Sequence, residues 1–194
     1  MDKQYLRKQV LQQLHQLSPS EHEQRSALIR ERVLASDEFK HAQTIGITLS
    51  RFPEVATHRL IQIAWQSGKR IAVPKCSASS RKMDFRLIDS FDQTETVYMD
   101  LKEPKVDQTE SVKPEEIDLQ IVPGVVYSPK GYRIGFGGGY YDRYLLNYPF
   151  ETISLAFERQ LMDNVKMESH DIPVSYLFTE ERIIDCQKAR ETNE

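Results

Sequence analysis

The stretch from residue 44 to residue 74 does most to constrain the fold. TIGITLS (44–50) and KRIAVP (69–74) are short β-branched runs, and ATHRLIQIAWQSG (56–68) between them reads as a helix closed by Gly68. Strand, helix and strand in that order predict a parallel βαβ unit. Upstream, Leu6, Val10, Leu14 and Leu17 form one apolar stripe, predicting a helix over 3–17. Ser18 is a natural N-cap, Pro19 suits a first helical position and Glu21 completes a capping box, so a second helix is expected over 19–34.

Residues 75–113 mix short apolar pieces with turn residues and predict irregular strands and long loops. DLQIVPGVVY (118–127) reads as a buried strand, YYDRYLLN (140–147) as a short helix, and ETISLAF, SYLFT and RIIDC as late strands before a polar tail after Cys186. No internal repeat, heptad or long linker divides the chain. The expectation is one α/β layered domain over 1–194, with a mostly parallel central sheet flanked by helices in a Rossmann-like arrangement.

At this length a chain buries roughly 70% of its unfolded surface, enough for a core without disulfides or structural metal. Cys76 and Cys186 are the only cysteines among 194 residues and fit no CxxC or Cys/His spacing, so both are read as free thiols. The start MDKQYLRKQV lacks the apolar stretch of a secretory signal, and no apolar run reaches the roughly 20 residues of a spanning helix. A cytoplasmic location is expected. With 26 Lys+Arg against 29 Asp+Glu, the net charge of −3 gives no general attraction to nucleic acid or anionic lipid. Any anionic ligand must be met by a local site.

Six of the eight glycines lie between positions 124 and 139. Gly135-Phe136-Gly137-Gly138-Gly139 can turn backbone N–H groups toward one point and approach phosphate oxygens closely. A helix starting at Tyr140 would add the partial positive charge of its N-terminus. The loop is not a Walker motif, because Tyr140 follows Gly139 where Lys is required, and it misses the GxGxxG fingerprint by one position. Lys130, Arg133 and Arg143 can add charge-assisted contacts, and Asp142 is a hard oxygen ligand suited to Mg²⁺. Together these suggest a Mg-nucleotide.

Other candidates stand apart from the loop. Lys3 and Arg7 project from one side of the first helix, as a solvated basic face would also do. Glu54 follows Phe52-Pro53 at the carboxyl end of the first strand, where open α/β sheets bind ligands, although a helix N-terminus favours a carboxylate there too. Asp171 is either a loop carboxylate or a metal contact. Tyr140 and Tyr141 suit packing or stacking on a flat ring. The five histidines show no metal-ligand spacing, and neither GxSxG nor HExxH occurs.

IVPGVVYSPKGYRIGFGGGYYDRYL (121–145) resembles the signature of the 5-formyltetrahydrofolate cyclo-ligase family. KQYLR (3–7), LSRFPEVAT (49–57), KEP (102–104) and HDIPVSYLFTE (170–180) resemble further family segments, in family order along almost the whole chain. The resemblance implies an ATP- and Mg²⁺-dependent cyclisation of 5-formyltetrahydrofolate to 5,10-methenyltetrahydrofolate, through a phosphorylated formyl intermediate, giving ADP and phosphate. Because the nucleophiles would belong to the substrate, no catalytic triad is needed.

By the same resemblance Lys3, Arg7, Arg133, Ile134, Gly135, Phe136, Gly137, Gly138, Gly139, Tyr140 and Tyr141 would bind ATP, the glycine-rich loop being taken as 133–141. Arg133 and Tyr141 would be catalytic, Leu49, Glu54 and Tyr140 would meet the folate, and Asp142 and Asp171 would hold Mg²⁺. The partner implied is the small-molecule folate, with or without a polyglutamate tail, for a monomer that engages neither nucleic acid nor membrane. In one departure, positions 136 and 138 are Phe and Gly where some members carry basic residues, leaving more of the charge to Lys3, Arg7 and Arg133. The alternatives are another ATP-dependent small-molecule kinase on the same scaffold, or a nucleotide- or folate-binding module without turnover.

Overall fold

The computed structural model describes residues 2–192. Two helices open the chain, α1 (Lys3–His15) and α2 (Pro19–Ala35), followed by the short α3 (Asp37–His41). The Ser18–Glu21 capping box is present in both directions at the start of α2. Helix α1 ends two residues before the expected Leu17, because the chain must turn at Ser18 to enter α2, yet Leu17 is still buried. The βαβ unit follows as β1 (Thr44–Gly46), α4 (His58–Gln66) and β2 (Arg70–Ser77), closed by Gly68 at φ +77°. Strand β1 is shorter than 44–50. Beyond Ile47 the chain leaves the sheet through a turn containing a cis Phe52–Pro53 peptide.

Residues 75–113 are more regular than expected. Strand β2 runs on into a tight hairpin with β3 (Lys82–Ile88). Strands β4 (Thr94–Thr96) and β5 (Lys102–Pro104) form a separate ribbon, and β6 (Glu110–Ser111) pairs with β3. The buried run at 118–127 splits into β7 (Leu119–Ile121) and β8 (Val126–Tyr127), because Pro123 has no N–H for a ladder and Gly124 follows it. Strand β8 pairs with β9 (Arg133–Ile134), and α5 (Tyr140–Leu145) follows. The remaining elements are β10 (Thr152–Leu155), β11 (Tyr176–Phe178), β12 (Ile183–Asp185) and α6 (Cys186–Glu191). Helix α6 stands where a polar tail was expected, capped by the Asp185 side chain on Lys188 N–H; the last two residues of that tail lie outside the described residues.

The main sheet runs β12-β11-β10-β7-β1-β2-β3-β6, parallel from β11 to β2 and antiparallel at both edges. It is a mixed, mostly parallel sheet of the α/β class, covered on both faces. Alternation along each strand sorts the side chains. Ile71 and Val73 of β2 join Leu6, Val10, Ile29, Ile61 and their neighbours on the face covered by α1, α2 and α4. Ala72 and Leu177 join Leu145 and Cys186 on the face covered by α5 and α6. Fully burying each of the leucine, isoleucine and valine side chains contributes about 1.5–3 kcal/mol. Both cysteines are free.

The connectivity reverses between β1 and β7: β1 leads through α4 to β2 on one side, while β7 leads on to β10 on the other. In open α/β sheets such a switch point opens a crevice at the carboxyl ends of the strands, where ligands bind.

Candidate functional site

A narrow cleft of about 30 Å³ occupies that crevice, with walls from Ile47 and Thr48 after β1, Ile121 to Gly124 at the end of β7, and Leu155 at the end of β10. Glu54 enters it from the turn after β1. One Glu54 oxygen accepts the Arg51 N–H at 2.8 Å, and the Glu54 carbonyl meets His22 Nε2 of α2 at 2.7 Å. Burial raises the Glu54 carboxyl above its ordinary pKa, partly offset by the Arg51 N–H and charge. Leu49 is buried in the core beneath this turn rather than exposed in the cleft.

The glycine segment proper is 135–139, shorter than the expected 133–141. Arg133 and Ile134 pair with Tyr127 and Val126 as a strand, and helix α5 starts at Tyr140. Helix α5 has six residues, so its dipole adds less than a longer helix would. Gly137 (φ +102°) and Gly139 (φ +68°) hold left-handed backbone that side-chain-bearing residues rarely adopt. Gly138 is needed for space: a Cβ there would lie 2.5 Å from the ring of Tyr140, which folds back over the loop.

The predicted cations fall into two groups. Arg133 is buried, donating to Asp142 Oδ1 at 3.0 Å and to the Ile172 carbonyl at 2.6 Å, while Lys3 is ion-paired with Glu168 at 3.1 Å and Asp171 at 3.2 Å. Arg7 instead holds the Gly135 carbonyl through Nε at 2.7 Å. Arg81, which the sequence reading left out, donates Nη1 to the Gly138 carbonyl at 3.1 Å from the β2–β3 hairpin. Between two serines and Lys82 it reads in sequence as an ordinary exposed turn residue. His22 was likewise missed, since its partner is a backbone carbonyl 32 residues away that no spacing rule could reveal.

Tyr141, in the first turn of α5, packs against the core on the α5 and α6 face of the sheet. Its hydroxyl is buried without a hydrogen-bond partner among the described residues. Burial pushes it well above the usual phenol range, and it senses Arg133, which favours ionisation, and Glu54, which opposes it. Cys76 is nearby, but burial and the Glu103 carboxylate push its thiol up to about 12, so it stays protonated. Glu103, of the KEP segment, accepts the Cys76 N–H at 2.7 Å and pairs with Lys75 at 3.2 Å, fixing the β4–β5 ribbon to the sheet.

The carboxylates expected to meet Mg²⁺ converge on one segment. Asp142 Oδ1 accepts the Ile172 N–H at 3.0 Å, next to Asp171, and Asp142 Oδ2 accepts no hydrogen bond among the described residues. Glu168, His170 and Asp171 offer ligand atoms within 4.8 Å of one another. The carboxylate oxygens of Glu168 and Asp171 are hard ligands suited to a divalent cation, His170 adds a nitrogen, and Asp142 stands outside this group.

A switch-point crevice, tied through the Val125 N–H on the Ile134 carbonyl to the start of the glycine loop, is the arrangement of an α/β protein that binds small molecules. A family model of the 5-formyltetrahydrofolate cyclo-ligase family matches residues 1–180. The 5-formyltetrahydrofolate cyclo-ligase of Escherichia coli K12 is 28% identical over 179 residues, covering 90% of this chain and 98% of that one. The mouse enzyme of the same name is 28% identical over 188 residues, covering 91% and 92%. Among solved structures, Aquifex aeolicus 5,10-methenyltetrahydrofolate synthetase superposes with a TM-score of 0.85 at 28% identity, covering 96% of this chain and 94% of that one. The Mycoplasma pneumoniae synthetase gives 0.75 at 26% identity, with coverage of 93% and 99%. The chain belongs to the 5-formyltetrahydrofolate cyclo-ligase family. No helix among the described residues is long and apolar enough to cross a membrane.

Proposed function

We infer that the chain catalyses the ATP-dependent cyclisation of 5-formyltetrahydrofolate to 5,10-methenyltetrahydrofolate, releasing ADP and phosphate. The observation that carries this reading is the family match over residues 1–180, on a fold with a switch-point cleft and a glycine loop. The formyl oxygen attacks the γ-phosphorus and ADP leaves. The folate N10 then attacks the activated formyl carbon, the C–O bond to phosphate breaks, and N10 loses its proton.

In this scheme the protein's work is positioning and charge neutralisation. Glu54 accepts hydrogen bonds from the folate's N–H groups, and its wall of the cleft, with Leu49 beneath the turn, orients the ring. The 135–139 backbone and Arg7 seat the phosphates. Arg133 stabilises the transferred phosphoryl group, and Tyr140 and Tyr141 line the junction of the two ligands. Asp142 and Asp171 hold Mg²⁺, with Lys3 as the cation that balances Asp171. When bound, Mg²⁺ would neutralise phosphate charge. The enzyme acts as a cytoplasmic monomer on a folate with or without a polyglutamate tail, needing neither nucleic acid nor membrane.

The scheme is tested with substrate carrying ¹⁸O in the formyl group. Because that oxygen forms the bond to phosphorus and departs with it, the released phosphate should carry the label. Unlabelled phosphate accompanying methenyltetrahydrofolate would contradict formyl phosphorylation, and a stable phosphorylated product would favour the kinase reading.

A further inference from the structure

The glycine loop has no charged residue of its own between Ile134 and Tyr140. A side chain at position 138 would first have to displace the Tyr140 ring. Positive charge must therefore come from other elements. Arg133 and Lys3 are already balanced by Asp142 and by Glu168 with Asp171. Two arginines touch the loop, and neither has a carboxylate partner among the described residues: Arg7 on Gly135 and Arg81 on Gly138.

These two approach from different elements, Arg7 from α1 and Arg81 from the β2–β3 hairpin. The Arg7 guanidinium also runs along Gly137, 3.8 Å from where a Cβ would be. Arg81 sits in left-handed backbone at φ +57°, a conformation uncommon for a residue with a side chain, and its guanidinium lies 6.0 Å from the centre of the Tyr140 ring. The contact with Gly138 uses one of its five N–H donors, leaving the others for a further acceptor. An exposed cation held in place beside a loop whose backbone N–H groups donate no hydrogen bond among the described residues is suited to phosphate oxygens.

We propose that Arg81 is a phosphate-binding residue, which with Arg7 clamps the polyphosphate of the nucleotide from opposite ends of the glycine loop. The proposal rests on the nucleotide reading given above and adds to it a residue supplied by a distant hairpin. Its contribution is electrostatic, so it should grow with the number of phosphates on the nucleotide.

The test is calorimetric titration of the full chain with ATP, ADP and AMP in the presence of Mg²⁺ and the absence of folate. For Arg81→Ala, ATP should bind roughly tenfold more weakly, the scale of one charge-assisted contact, ADP should lose less and AMP less than about twofold. Arg81→Gln, which keeps a donor for Gly138 but no charge, should behave like the alanine variant, and Arg81→Lys should recover part of the loss. An equal loss for all three nucleotides, or wild-type affinity in Arg81→Gln, would make Arg81 a loop tether and overturn the proposal. Unchanged ATP binding in Arg81→Ala would overturn it too. If the wild-type chain binds no ATP, the nucleotide reading itself falls and the proposal falls with it.

Discussion

Arg133 and Asp142 close a small ring on the backbone of residue 172: Arg133 donates to the Ile172 carbonyl at 2.6 Å, Asp142 Oδ1 accepts the Ile172 N–H at 3.0 Å, and the two side chains meet at 3.0 Å. The ring ties β9 and α5 to the segment carrying Asp171. A residue proposed to stabilise phosphoryl charge is thus held in place before substrate arrives, as electrostatic preorganisation requires.

Arg133→Ala should lower kcat by roughly 10²-fold or more. It also leaves Asp142 without its cation, so a drop in stability is expected alongside. Arg133→Lys separates the two effects: it keeps the charge, should restore most of the melting temperature and should leave kcat well below wild type, because an ammonium cannot reproduce the forked contacts. Wild-type kcat in either variant would remove Arg133 from the mechanism.

Glu54→Gln should raise the KM for folate and spare that for ATP. If ATP affinity alone suffers, Glu54 has been put in the wrong half of the site. A second, independent signature comes from pH. The Glu54 carboxyl is raised in the folded state, so its stabilising contribution is present below the unfolded value near 4.3 and is lost as pH rises through the folded value. The melting temperature of Glu54→Gln relative to wild type should therefore increase between about pH 3.5 and pH 7.5. A difference that is flat with pH would contradict the burial of this group.

Gly138→Ala places a methyl group 2.5 Å from the Tyr140 ring, in backbone that alanine can otherwise adopt. The ring must swing away, so the KM for ATP should rise several-fold while the melting temperature changes by less than about 3 °C, as for exposed sites generally. Unaltered ATP kinetics would show that the position of the ring over the loop is irrelevant to the nucleotide.

Gly131→Ala should act on stability instead. Gly131 has φ +89°, and a Cβ there would lie 2.4 Å from the Val174 carbonyl oxygen, a backbone atom that cannot swing aside. Strain and clash together should cost about 3 kcal/mol, measured by urea unfolding. A loss below about 1 kcal/mol would mean that the 131–174 contact yields readily.

The legible parts of the fold were those in which one local rule decides. The Ser18–Glu21 capping box, the leucine stripe of α1 and the closure of α4 at Gly68 each depend on residues within a few positions of one another. The β2–β3 hairpin was illegible because Lys75 to Lys82 is polar, and its pairing is paid in ladder hydrogen bonds rather than apolar alternation. The site divides likewise. Glycines 135–139 stand out by composition, whereas Arg81 and His22 gain their partners only when a hairpin and a helix are folded against backbone carbonyls far along the chain. Arg133 was legible as a cation, but its pairing with Asp142 depends on the turn from β9 into α5.

The central claim is tested most directly by following methenyltetrahydrofolate absorbance after mixing the chain with 5-formyltetrahydrofolate, ATP and Mg²⁺, and then leaving out each in turn. The signal should require all four components, vanish on chelation of Mg²⁺ and return when it is restored. Failure of folded, ATP-binding protein to form any methenyltetrahydrofolate would contradict the assignment.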